Sequence, residues 1–323
     1  MEEATFRDPD GIDVFYRRWL PDGEPVLAVL VVHGMSEHSG RYARLAAALT
    51  ARGYAVYAPD HRGHGRTAAA TGVGRTGPSG IAGALGDIGQ LRRIVAADLA
   101  DPHVVLLGHS MGALLAQAYA ERDGDGLAGL VLSGSPGRDE ALAELADGAR
   151  ALVDAGMGDD PVAALATFNA PFEPARTPFD WLSRDETEVD AYLADPLCGE
   201  QHPMTYGFVA DLLSVTAAAM EPAGIALLPA STPILLLTGG ADPVSNGGAN
   251  VRALEAVLRD AGLTVDARYY PDARHEIFNE TNRDEVVTDL LQWLDQVARS
   301  RSAHPHPRVA AERETSAPAD GGG

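Results

Sequence analysis

Ser110, Asp242 and His275 are the residues of this chain whose types, order and settings could do covalent chemistry. Ser110 sits in Gly108-His109-Ser110-Met111-Gly112, between the apolar run Val104–Leu107 and the helix-forming residues Ala113, Leu114, Leu115, Ala116 and Ala118. Gly-x-Ser-x-Gly between a strand and a helix is the setting of a nucleophile elbow, a strained turn that exposes the serine oxygen near a helix N-terminus. Serine is a weak nucleophile at neutral pH and needs a base, which itself needs an orienting acid. Asp242 follows Leu235-Leu236-Leu237-Thr238-Gly239-Gly240, and His275 follows Tyr269-Tyr270-Pro271, so the order is serine, acid, histidine, as the elbow requires. The chemistry expected is acyl transfer: Ser110 attacks an ester carbonyl, His275 moves the proton to the leaving alcohol, Asp242 fixes the histidine tautomer, and water repeats the cycle. The oxyanion needs two donors. The backbone N–H of Met111 is one, and the His33-Gly34-Met35 loop offers the other, at Met35.

Other readings compete at each position. The pentapeptide alone is also compatible with a glycine-rich turn whose serine caps a helix. His33, His61, His64 and His109 lie in strand-end loops and rival His275 as base. Asp60, beside prolines and glycines, rivals Asp242 as acid, whereas Asp195 and Asp211 fall in helical patterns and read as structural.

These residues need a scaffold, and the apolar pattern supplies one. Residues 4–20 read as two strands around Asp8-Pro9-Asp10-Gly11. Apolar segments at 26–32, 54–58, 103–107, 127–132 and 233–237, and the mixed segment 264–270, read as strands, 26–32 as one buried on both faces. Between them Tyr42, Leu45, Ala46 and Leu49, then Ile88, Leu91, Val95 and Leu99, then Val251, Leu254, Val257 and Leu258, and last Val287, Leu290, Leu291, Leu294 and Val297 mark helix faces. Residues 66–86 read as a long loop, with Asp87 and Gln90 as a capping pair for the helix that follows. From 137 to 228 the strand rhythm stops and helices dominate; Asp160-Pro161 and Ser183-x-x-Glu186 look like helix starts. The whole predicts a mostly parallel sheet with helices on both faces, carrying a helical cap. Sites in such sheets gather at the C-terminal ends of strands, where the His33, Ser110, Asp242 and His275 segments all fall.

Composition sets the outer bounds. The 323 residues carry 46 acidic against 25 basic side chains, a formal charge of −21. That argues against nucleic acid and anionic membrane surfaces as partners. Hydrophobic residues make up 46%, enough for a large core. The single cysteine, Cys198, excludes an internal disulfide and a thiol zinc cluster. The first residues lack the apolar segment of a secretory signal, and no apolar run reaches the roughly 18–20 residues of a spanning helix, so a cytoplasmic protein without a metal is expected.

Three segments carry a family resemblance. His33-Gly34-Met35-Ser36-Glu37-His38-Ser39-Gly40-Arg41-Tyr42, Asp60-His61-Arg62-Gly63-His64-Gly65 and Gly108-His109-Ser110-Met111-Gly112 together resemble the monoacylglycerol lipase and lysophospholipase-like branch of the α/β-hydrolase fold, over roughly residues 5–298. The resemblance implies a serine esterase or lipase acting on monoacyl lipids without a cofactor, with the triad and oxyanion donors named above. The apolar rhythm divides the chain into a core at 1–136 and 229–299 and a cap at 137–228, with a tail at 300–323 disordered by composition; the resemblance implies that the cap sets substrate choice, and a transient contact of the cap with a lipid surface is compatible with it. Cap residues Phe168, Phe172, Phe179, Trp181, Phe208 and Leu212, with Met204 and Leu213, are candidates to line an acyl tunnel; equally, four short helices need a core of their own. Two other functions fit the same frame. A serine aminopeptidase of related fold would need an acidic cluster for an α-amine, with Glu173 and Glu186 as candidates, and a non-catalytic binding protein would not need the triad.

Overall fold

The computed structural model describes residues 1–303 apart from 101, 140 and 163. Eight strands form one sheet: β1 (Glu2–Arg7), β2 (Asp13–Trp19), β3 (Leu27–Val32), β4 (Tyr54–Pro59), β5 (Val104–His109), β6 (Leu127–Ser133), β7 (Ile234–Gly239) and β8 (Val265–Tyr270). Their order across the sheet is β1-β2-β4-β3-β5-β6-β7-β8. The β1–β2 hairpin joins β4 antiparallel, and every pairing from β4 to β8 is parallel. The helices in chain order are α1 (Ala43–Ala51), α2 (Ala68–Thr71), α3 (Gly80–Asp98), α4 (Met111–Asp123), α5 (Leu142–Leu152), α6 (Glu186–Ala194), α7 (Tyr206–Ala219), α8 (Pro222–Ile225), α9 (Ala249–Asp260) and α10 (Arg283–Ala303). The fold is α/β, of the α/β-hydrolase type.

The apolar runs explain the sheet. All residues of β3, β5, β6 and β7 are buried, as parallel strands covered on both faces must be. Successive side chains go to opposite faces. Val104 and Leu106 of β5 pack with Ile88, Leu91 and Leu115 on one side, while Val105 and Leu107 pack with Leu45, Leu49, Leu290 and Leu294 on the other.

Three local expectations fail. The segment 66–86 is not one loop: it contains α2, and α3 begins at Gly80. Asp87 therefore caps nothing. It lies inside α3, buried, and takes the Arg62 Nε at 2.7 Å, an ion pair that no local pattern announces. The N-terminus of α3 is capped instead by Asp211 of α7, whose Oδ2 accepts the Ile81 N–H at 2.7 Å. Asp160-Pro161 opens no helix, since Pro161 forms an isolated bridge with Thr205. The Ser183 capping box is displaced by two residues: Asp185 caps α6 through the Thr187 N–H, and Ser183 Oγ receives the Asp185 N–H.

Among the described residues, the chain between β6 and β7 adds no strand to the sheet. It runs through α5 to α8 and several short 3₁₀ turns. This segment does not carry one core of its own. Phe208 and Leu212 of α7 belong to the large core under α3 and α4, and only Phe179, Trp181, Leu182, Val189, Tyr192 and Cys198 form a separate buried cluster. At the other end α10 continues to Ala303, beyond the boundary expected near 300; the rest of the expected tail, with His304 and His306, lies outside the described residues.

Candidate active site

Ser110 follows β5 directly and is the first residue before α4, at φ 55° and ψ −119°. A non-glycine residue held there costs of order 1–3 kcal/mol and persists only where its neighbours fix it. They do: the Ser110 N–H donates to the Ser133 carbonyl at 2.9 Å, and its own carbonyl accepts from Ala113 at 2.9 Å and Leu114 at 3.3 Å. The turn leaves no room behind it. A Cβ on Gly112 would stand 2.0 Å from the Val32 carbonyl oxygen. Met111, the first residue of α4, has an N–H with no intrahelical acceptor.

Asp242 and His275 come from the ends of β7 and β8. The two loops touch because Gly239 has no side chain; a Cβ there would stand 2.2 Å from the Ala273 carbonyl oxygen. His275 Nδ1 lies 3.1 Å from both carboxylate oxygens of Asp242, and both residues are buried. With Nδ1–H donating to the carboxylate, Nε2 is the free acceptor. Burial disfavours the imidazolium, but the charge and hydrogen bond of Asp242, helped by Glu276 and Glu37, outweigh it and raise the His275 pKa above its ordinary value. His109 shows the opposite balance. Its ring lies 4.9 Å from that of His275, and burial together with the charge of His275 pushes its pKa down to about 4.

A cavity of about 20 Å³, the size of one water, is walled by Met35, Ser110, Trp181, His275 and Glu276. The loop carrying Met35 is fixed by charge. Glu37 Oε1 accepts the Gly34 N–H at 2.6 Å and the Tyr42 hydroxyl at 2.8 Å, and its Oε2 accepts Arg41 Nη1 at 3.0 Å. Arg41 also pairs through both nitrogens with Glu276, the residue after His275. Burial pushes the Glu37 carboxyl up, but Arg41, His109, His33 and the Gly34 N–H prevail and hold it down at about 2.

The other half of the wall comes from the segment between β6 and β7. Residues 179–183 brace the histidine loop: the His275 N–H reaches the Trp181 carbonyl at 3.4 Å, and the Glu276 N–H reaches the Leu182 carbonyl at 2.8 Å. The Trp181 ring is tilted against the His275 ring at 5.0 Å.

The rivals are used elsewhere. His33 accepts the His61 N–H at 2.9 Å on Nε2 and donates from Nδ1 to the Gly34 carbonyl at 2.7 Å. Asp60 is taken by the Ser39 N–H at 2.9 Å and hydroxyl at 2.5 Å and by the Arg66 N–H at 2.8 Å. Asp195 pairs with His38 Nε2 at 2.9 Å. His38, Asp195 and Cys198 bring ligand atoms within 4.8 Å of one another. His38 Nδ1, however, accepts the Gly40 N–H at 3.1 Å, which puts the proton on Nε2, facing Asp195. The trio as built is a hydrogen-bonded tie between the two segments. Of the six aromatic and leucine candidates for substrate contact, Trp181 alone walls the cavity; Phe168 and Phe172 flank the small separate cluster, Phe179 lies inside it, and Phe208 and Leu212 are core.

The sequence model of the family described as "Serine aminopeptidase, S33" matches residues 23–282. A monoacylglycerol lipase of Mycolicibacterium smegmatis is 32% identical over 90% of this chain and 96% of its own, and a human monoglyceride lipase is 30% identical over 92% and 91%. This chain belongs to the monoacylglycerol-lipase-like family of α/β-hydrolases. Among solved structures, a thermostable carboxyl esterase from Bacillus coagulans in complex with glycerol superposes with a TM-score of 0.86 at 30% identity, covering 92% of this chain and 98% of that one. A lipase described as an open form gives 0.80 at 30% identity, covering 92% and 99%.

In this α/β-hydrolase the sequence motifs contained Glu37, Arg41 and Tyr42 but not the reason for them. Glu37 takes both Arg41 and Tyr42, and the further partner of Arg41, Glu276, is 235 residues from it along the chain. The brace at residues 179–183 and the Tyr192 hydroxyl bond to the Ser36 carbonyl, at 3.0 Å, left no periodicity or motif to find.

Proposed function

We propose that the protein is a serine ester hydrolase that cleaves monoacylglycerols or similar neutral monoacyl esters through Ser110, His275 and Asp242. The observation that carries this reading is the His275 Nδ1 contact with both Asp242 oxygens, together with the shared cavity wall of His275 and Ser110, the serine at its strained turn. His275 takes the Ser110 proton on Nε2 as the serine attacks the ester carbonyl. The backbone N–H groups of Met35 and Met111 receive the developing oxyanion. His275 then protonates the leaving alcohol, and water releases the acid by the same steps. The matching family model is described as a serine aminopeptidase, but the names of the relatives support the ester over the peptide bond, and so does the charge balance. An aminopeptidase needs a free carboxylate for the α-amine, yet Glu37 and Glu276 of the wall are both engaged by Arg41, while Glu173 and Glu186 are exposed and away from it. Residues 137–228 are proposed as the substrate-selecting cap, with Trp181 its contribution to the site wall. The cytoplasm, where a thiol such as Cys198 stays reduced, is the proposed compartment.

The test is a panel of p-nitrophenyl esters of increasing acyl length with monoacylglycerols, run beside an aminoacyl-anilide. Ester turnover that Ser110→Ala lowers about 10⁶-fold is expected if the three side chains act as a unit. Anilide turnover without ester turnover would sink the reading.

A further inference from the structure

The proposed cycle employs Ser110, His275, Asp242 and backbone N–H groups, and leaves one polar atom of the cavity wall without work. Trp181 lines the cavity with Ser110 and His275, and its side chain is only 3% exposed. Its indole Nε1–H is buried, and no group among the described residues accepts from it. Indole N–H is a donor only, and leaving a buried donor unpaired is costly. Phenylalanine would cover the same wall without that orphan. The contrast with Trp293 is direct, since its Nε1 donates to Asp266 at 3.2 Å.

The ring is held rather than loosely placed. The Trp181 backbone N–H donates to Asn169 Oδ1 at 3.0 Å, its carbonyl accepts from His275, and the ring packs on His275 at 5.0 Å and on Phe168 at 5.2 Å. In the proposed cycle His275 hands a proton to the leaving oxygen, which ties the ring packed on it to the alcohol half of the ester. We propose that the Trp181 Nε1–H recognises a hydroxyl oxygen on that alcohol half, and so selects esters of polyols over esters of simple alkanols. The inference rests on the ester-hydrolase reading above.

The test compares kcat/KM of the full chain and of Trp181→Phe for monodecanoylglycerol and for methyl decanoate, which share the acid and differ in the hydroxyls. One neutral hydrogen bond predicts that the ratio of kcat/KM for the glycerol ester to that for the methyl ester falls about fivefold, on top of any loss common to both. An equal fall for both esters overturns the proposal, because the ring would then act only by packing on His275. A second measurement covers a variant that fails to fold: in ¹⁵N-indole-labelled Ser110→Ala protein, with the other indole signals assigned through Trp19→Phe and Trp293→Phe, monodecanoylglycerol moves the Trp181 indole proton downfield. A Trp181 signal that stays in place when the ligand saturates also overturns it. Failure of the underlying reading looks different, since the wild type would then cleave neither ester, and both proposals would fall together.

Discussion

The Tyr192 hydroxyl donates to the Ser36 carbonyl at 3.0 Å, and the Gly199 N–H reaches the same oxygen at 3.0 Å. Ser36 is itself held at φ 54°, one residue after Met35. The segment between β6 and β7 thus pins the backbone that presents the proposed oxyanion donor. Tyr192→Phe removes one of the two pins while keeping the ring that packs on Phe179 at 5.2 Å. It should cost about 1 kcal/mol of stability and lower kcat several-fold with little change in KM, read by thermal unfolding and by hydrolysis of a short p-nitrophenyl ester. A raised KM with unchanged kcat would mean that the contact serves binding alone.

The pH profile of kcat/KM should show an acid limb above the ordinary histidine value of about 6.5. The neutral imidazole is the working form, and the raised pKa of His275 delays its appearance as pH rises. Burial acts downward and Asp242 upward. Asp242→Asn leaves burial unopposed by that charge, so the limb should move to lower pH while the rate falls about 10⁴-fold through the wrong tautomer. A limb that stays in place would remove Asp242 from the role of acid.

Stability should fall as pH drops from 7 to 5. Burial lowers the pKa of His33, His61, His64, His109 and His202. These rings are neutral in the fold and gain protons once unfolded, so below about pH 6.5 the unfolded chain binds more protons and is favoured. His275, Asp87 and Glu121, whose pKa values are raised, have the opposite sign, contributing stability that is lost as pH rises, but they are three groups against five. Denaturant midpoints measured across this range check the slope; a flat or rising midpoint on acidification would refute the assignment.

Arg62 is a second sensitive point. Its buried guanidinium binds Asp8 at 2.5 Å, Asp10 at 2.6 Å and Asp87 at 2.7 Å. Burial already raises Asp87 to about 6 against the pull of Arg62. Arg62→Met leaves carboxylates buried without their cation and should cost about 3–5 kcal/mol at neutral pH. The penalty should shrink at pH 5, where Asp87 takes up a proton. Chemical denaturation of both proteins at the two pH values measures it.

Gly112→Ala should destabilise by about 1–3 kcal/mol, because the added methyl must push β3 away from α4. Urea unfolding should show a lower midpoint with an unchanged slope, and turnover should fall further than stability alone explains, since Ser110 sits at the same turn.

Much of this was legible in the residues. Apolar runs marked the strands because a parallel strand covered on both faces has no polar positions to spare. Ser110, Asp242 and His275 stand out as candidates because glycines beside Ser110 and Asp242 answer to local sterics, and because each of the three follows a strand whose C-terminal end faces the same crevice. The start of α3 was misread for an equally physical reason: its cap, Asp211, sits on α7, and glycine-rich residues 66–86 carry no periodicity to place a helix boundary. For the 137–228 segment the sequence leaves an acyl tunnel and a core of its own equally open, since an apolar helix face does not say which partner covers it; α7 packs on the main core, and Phe179 to Cys198 keep a small cluster.

The sequence by itself determined the reaction class and singled out the candidate residues along the chain, because glycine spacing and strand ends are properties of a few consecutive residues. Tertiary structure alone decided how the site is held: Arg41 between Glu37 and Glu276, Trp181 against His275, and Tyr192 on Ser36 join residues far apart in the chain. Such pairings follow from the packing of the whole fold, and no local pattern of residue types encodes which distant side chain will arrive.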